Sequence, residues 1–264
     1  MSNTAFHKIT LNFPHNLFSE LAGSTTFEPV IKGRTGNHLV KPEDKGIPIV
    51  RTTTRYHIPA NTFSATHQRI ADRIYATIRN NNPANIPALH FNNALIEVYD
   101  AVYAKMNFHS DQNLDLANDS YIGLFSCYEN PDTLTEQHIR KLKIKNKVTD
   151  EEHEHSLTQH SVILFSLATN TQFLHKIVLN VLPNAKPLAT DNKWLGITFR
   201  TSKTYIQFKD NQPYFSTGQP LTIANEEQAT EFFKLRGQEN RNVDFEYPEL
   251  TYTINPADTM MPKS

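Results

Sequence analysis

His109-Ser-Asp111 places an imidazole and a carboxylate one residue apart. In an extended chain such side chains point the same way and can share one cation. The triplet alone does not specify a metal, because H-x-D turns up often by chance. Its weight comes from His175, which interrupts the apolar run of SVILFSLATNTQFLHKIVL after the polar turn ATNTQ. A lone histidine in such a place is ordinarily a core or surface residue. Together the three form a two-histidine, one-carboxylate face, a donor set that holds Fe(II) and leaves adjacent positions open for a bidentate oxo-acid and dioxygen. An oxo-acid carboxylate deep in a barrel also needs a fixed cation. TFRTSKTYIQF supplies Arg200 on a strand after His175, with the Ser202 hydroxyl two residues on and facing the same side. Arginine suits planar, bidentate pairing better than lysine; the competing reading is a strand-end surface charge.

These residues need a scaffold that brings strands distant in sequence to one mouth. ALIEVYDAVYA, SYIGLFSCY, SVILFSLAT, QFLHKIVLNV, WLGITFR and KTYIQF are short β-rich segments separated by polar turns. That pattern predicts a sandwich or barrel rather than βαβ units. The expected fold is mainly β with flanking helices, a double-stranded β-helix or jelly roll. Phe63, His67, Ile70, Ala71, Ile74, Tyr75 and Ile78 recur at helical spacing, with Asn61 or Thr62 as cap, and predict a helix that packs on the sheet. A second, short helix is expected over NEEQATEFFKLRGQEN, capped by Asn225 and stopped at Gly237. IPIVRTTTRYHI reads as a strand bearing Arg51 and Arg55, and the charged segment from Asn130 to His160 as an insertion or long loop. The chain is then one catalytic domain over 1–264, with an N-terminal annexe (1–90), a jelly-roll core (91–210) and a C-terminal extension (211–264).

Composition excludes several classes. Lys plus Arg (26) against Asp plus Glu (27) leaves a net charge of −1, so no global basic field draws the chain to nucleic acid or acidic membrane. Hydrophobic residues at 38%, with 16 Phe and 10 Tyr, supply enough apolar surface for a sizeable core. The single cysteine, Cys127, has no intramolecular disulfide partner, the N-terminus has no secretory pattern, and no apolar run approaches a membrane span of about 20 residues. A soluble, intracellular protein, cytoplasmic or nuclear, is the expectation.

The order of VYDAVYAKMNFHSDQNLDL, SYIGLFSCYENP, FSLATNTQFLHKIVL and WLGITFR, roughly residues 93 to 208, resembles the AlkB-like branch of the Fe(II)/2-oxoglutarate-dependent dioxygenases. In that family a tyrosine-bearing strand leads to H-x-D, and a distal histidine precedes an arginine strand reading TFR. The resemblance implies His109, Asp111 and His175 as iron ligands, Tyr99 as the tyrosine that reaches 2-oxoglutarate, and dioxygen as the second cosubstrate. This chain also departs from the family. Lys193-Trp194 stands where a first arginine belongs, Glu97 replaces an asparagine, and the tyrosine lies one residue farther from His109. Either Arg200 with Ser202 holds the distal carboxylate, the preferred reading, or Lys193 replaces the missing arginine.

The implied activity is hydroxylation or oxidative demethylation. The substrate is a modified nucleic-acid base, contacted by Arg51, Arg55 or Tyr56, or else a protein side chain or small metabolite. A non-catalytic, metal-binding jelly-roll module is the other class. His153 and His155 read as residues of a solvated loop rather than a second metal site, Cys127 as a packed thiol, and Trp194 as core packing.

Overall fold

The computed structural model describes residues 5–81, 86–179 and 192–264. The end of the strand expected through 181 lies outside the described residues. In chain order the first elements are β1 (Phe6–Thr10), α1 (Phe18–Gly23), β2 (Glu28–Ile31), β3 (Arg34–Val40), β4 (Ile47–Pro48), β5 (Asn61–Thr62) and α2 (Ala65–Asn81). They are followed by β6 (Asn93–Tyr99), β7 (Tyr121–Tyr128), β8 (Lys141–Asn146), β9 (Glu152–Ser156), β10 (Ser161–Ser166), α3 (Leu167–Gln172) and β11 (Phe173–Val178). The last are β12 (Trp194–Arg200), β13 (Tyr205–Lys209), β14 (Gln212–Phe215), β15 (Thr222–Ile223), α4 (Glu226–Arg241) and β16 (Tyr252–Thr253).

The large sheet runs β1-β10-β7-β12-β6-β3-β2, with β5 alongside β3. Its central strands are buried on both faces, and alternation divides them between two cores. On β12, Leu195, Ile197 and Phe199 turn toward Ile70, Ile74 and Ile78 of α2 and Leu21 of α1. Each fully buried residue of this kind contributes about 1.5–3 kcal/mol. The opposite face, with Leu124, Ile163, Phe165 and Trp194, packs on Leu142 and Ile144 of β8 and Ile177 of β11. A smaller sheet, β11-β8-β9, therefore closes over the large one, and bridges from Lys105 to Val178 and from His109 to His175 lay residues 105–109 beside β11. The result is a jelly roll flanked by helices. No described helix is long and apolar enough to cross a membrane.

Several elements differ from the sequence reading. Residues before 90, expected as an annexe to the core, supply β1, β2 and β3 to the large sheet. The strand expected over IPIVRTTTRYHI shrinks to β4. The backbone N–H of Arg51 donates to the buried Asp115 carboxylate (2.7 Å) rather than to a neighbouring strand. The stretch read as a loop from Asn130 to His160 carries β8 and β9. Their charged alternation, KLKIKN and EHEHS, marks strands with one wet face. The α2 helix forms as its spacing requires, but Ser64 precedes it, its Oγ accepting from the His67 N–H (3.4 Å). Asn225 caps α4 in a reciprocal capping box with Gln228, yet the helix runs through Gly237 to Arg241.

Candidate metal centre

His109 and His175 face each other across a two-stranded ladder. Each backbone N–H donates to the other's carbonyl, at 3.0 and 2.7 Å. This reciprocal pairing sets the imidazoles side by side, with ring centroids 4.7 Å apart. Two residues on, Asp111 returns to the same side, and its Oδ1 lies 3.5 Å from His175 Nε2. One donor atom from each of the three lies within 4.8 Å of the others.

The protonation states suit a cation. Burial, reinforced by the charges of His175 and Arg236, pushes the His109 imidazole down to about 3, so its lone pair is free at neutral pH. Its Nδ1 sits 3.0 Å from the Asn107 carbonyl; as the donor there, it leaves Nε2 to face the cluster. Burial raises the Asp111 carboxyl, but the Arg200 charge and the His175 contact outweigh it and hold the group well below its ordinary value. A neutral imidazole and an ionised, buried carboxylate fit a divalent metal.

Residues far along the chain hold this arrangement, and no motif announced them. Asn170 on α3 brackets the Asp111 peptide, accepting from its N–H (2.8 Å) and donating to its carbonyl (2.7 Å). From α4, Asn240 accepts from the Ser110 N–H (3.1 Å), Glu239 accepts from the Asn113 N–H (2.8 Å), and Arg236 donates to the Ser110 carbonyl. The polar turn ATNTQ was visible in the sequence, but the partners lie 59 to 130 residues apart.

The three donors line a cavity of about 480 Å³ between the sheets. Arg200 lines it too, and its Nε donates to Asp111 Oδ2 at 2.8 Å. The arginine is therefore paired through Nε with the carboxylate of the cluster itself. Tyr99 also lines the cavity, and its hydroxyl donates to Glu97 (2.6 Å). Ser202 lies elsewhere: its buried hydroxyl donates to the Ile49 carbonyl (2.6 Å), and it is not part of the cavity wall. Lys193 is absent from that wall as well. The wall also holds buried polar atoms without a partner, Arg200 Nη1 and both amide atoms of Gln112. Buried polar groups are rarely left so, and a polar, carboxylate-bearing ligand fits them.

The remaining candidates are structural or peripheral. Arg51 forms a buried ion pair with Asp115 (2.7 Å) and donates to the carbonyls of Leu250 and Tyr252, tying the C-terminal segment to the core. Arg55 and Lys105 line a shallow groove that shares Arg34, Tyr103 and Met106 with the metal cavity. His153 and His155 stand on β9 against Phe6, outside the cavity. Cys127 is buried, which pushes its thiol up to about 12.

Fold and site together define a jelly-roll protein with a two-histidine, one-carboxylate face at its mouth. No protein-family model matches the chain, and no curated protein matches it. Among solved structures it is similar to that of OsALKBH1, at 14% identity and a TM-score of 0.50, over 76% of this chain and all of that one. It is also similar to a Pseudomonas putida prolyl-4-hydroxylase, at 13% identity and a TM-score of 0.43, over 75% of this chain and 94% of that one. The chain thus shares the fold of an AlkB homologue.

Proposed function

We propose that the chain is an Fe(II)- and 2-oxoglutarate-dependent dioxygenase of the AlkB-like kind. The observation that carries this reading is the cluster of half-buried His109 with buried Asp111 and His175, coupled through Asp111 to an arginine with an unpartnered nitrogen in the same cavity. His109, Asp111 and His175 would hold the metal. Arg200 fixes the free rotation of the Asp111 carboxylate and offers Nη1 to the near carboxylate of an oxo-acid. The bulk of the apolar wall, Leu124, Leu142, Phe165 and Ile177, keeps water from the reacting centre. With dioxygen and 2-oxoglutarate, bound iron supplies the oxidation that turns a substrate C–H into an alcohol while the oxo-acid leaves as succinate and carbon dioxide. On an N-methyl group that alcohol collapses to formaldehyde, so hydroxylation and demethylation use the same residues.

Arg55 and Lys105 beside the mouth support a phosphate-bearing substrate such as a modified nucleic-acid base. The near-neutral net charge supports the second reading, a protein side chain or small metabolite. Purified protein given Fe(II), 2-oxoglutarate and dioxygen should release succinate even without its substrate, and His109→Ala and Asp111→Ala should lose both iron and turnover. A protein that binds metal but never forms succinate is a non-catalytic jelly-roll module instead. Formaldehyde release from methylated oligonucleotides, against hydroxylated peptide or metabolite products, separates the substrate classes.

A further inference from the structure

We infer that Arg34, on β3, is the cation that receives the distal carboxylate of the oxo-acid; this rests on the dioxygenase reading above. The inference starts from where the other cations are. Arg200 pairs with Asp111, at the metal end of β12. Trp194 stands six residues earlier, at the other end of that strand, where its indole lies back over Gly196 and packs on Tyr99 at 4.9 Å. Arg140 lies behind those two rings, 5.1 Å from the Tyr99 centroid, and is satisfied by the carbonyls of Asp100 and Tyr103. Arg236 is held by Glu239 and the Ser110 carbonyl at the α4 side.

Arg34 is in register with Tyr99, which is itself in register with Trp194. It therefore sits in the same rank as the indole, on the opposite flank of the tyrosine, and it lines the metal cavity. Glu97 occupies only one edge of its guanidinium, through Nε (2.7 Å) and Nη2 (2.5 Å). Toward the end-on edge, Nη1 has only the Tyr103 hydroxyl among the described residues, at 3.4 Å. That edge can pair with a carboxylate without displacing Glu97, because a guanidinium presents five donors in a planar fork. The rings of Tyr99 and Tyr103, 5.9 and 5.6 Å from the Arg34 carbon, hold the fork in place.

The test is a calorimetric titration of the Mn(II)-loaded protein with 2-oxoglutarate and with 2-oxovalerate, which has the same chain length and a methyl group in place of the distal carboxylate. Wild type should prefer 2-oxoglutarate by about 10- to 100-fold, the range for a charge-assisted bidentate contact. In Arg34→Met/Glu97→Gln, which removes both members of the pair and leaves no buried charge, that preference should vanish while Mn(II) and 2-oxovalerate bind as before. Arg34→Lys should restore part of it, and it carries the test if the double variant does not fold. A preference unchanged in these variants, or an equal loss of both oxo-acids, overturns the assignment. A wild type that binds neither oxo-acid overturns the dioxygenase reading instead.

Discussion

Replacing Arg200 with methionine keeps the apolar stem and deletes the partner of a buried carboxylate. The Arg200 and Asp111 side chains are 5% and 7% exposed, with Nε and Oδ2 2.8 Å apart. Removing one member of such a pair costs about 3–5 kcal/mol, because the survivor stays buried without compensation. Since His175 lies 3.5 Å from the other Asp111 oxygen, the cost should fall near the lower end, about 3 kcal/mol. For a chain of this size that is a fall of roughly 6–12 °C in Tm. A divalent cation at the cluster neutralises the same carboxylate, so saturating Mn(II) should raise the Tm of Arg200→Met more than that of wild type. Differential scanning calorimetry of both proteins, with and without Mn(II), reads the two effects together. Equal melting temperatures without metal and equal shifts with it would mean that Asp111 does not depend on Arg200, and the coupling of the two side chains would be wrong.

Asn170→Ala leaves the Asp111 peptide unbracketed and should weaken Mn(II) binding about 10-fold or more with the fold retained, as loss of an orienting partner does; unchanged affinity would remove Asn170 from the site. In Gly196→Ala the new methyl would fall 2.1 Å from Trp194 Cη2 and force the indole to move, at about 1–3 kcal/mol. Trp194 is the single tryptophan, so its emission should shift as the Tm falls, and an unaltered spectrum and Tm would contradict the packing described. Burial, with Asp115 nearby and against the Thr253 hydroxyl and Arg51, raises the Asp258 carboxyl to about 7. The folded state then holds a proton that the unfolded chain releases near pH 4. Stability is full below that value and falls as pH rises through about 7, by about 2–4 kcal/mol. Urea titrations from pH 5 to 8 should show this slope in wild type and lose it in Asp258→Asn; the same slope in both would refute it.

The parts of the site readable in the sequence were those governed by local geometry. Residues two apart on an extended chain share a side, so His109 and Asp111 could be paired on paper, and the α2 stripe follows from a 3.6-residue period. The role of Arg200 was not local. Whether its guanidinium meets a ligand or a protein carboxylate depends on the loop that brings Asp111 beside β12. Ser202 faces the expected side of an ideal strand, but the strand ends at Arg200 and the serine hydroxyl turns to the Ile49 carbonyl. KLKIKN and EHEHS hid as loops because strands of a sheet with one wet face carry few apolar residues. Gly237 reads as a helix stop, yet packing of Phe232 and Glu239 on either side carries α4 past it.

The hold of α4 on Ser110 makes the cluster depend on a segment far along the chain. The last of the three clustered donors is residue 175, but the peptide between the first two is fastened by residues 236 to 240. During synthesis all the donors emerge well before the clamp that steadies them. A chain that stopped short of α4 would carry all three donors and lose the fastening between two of them.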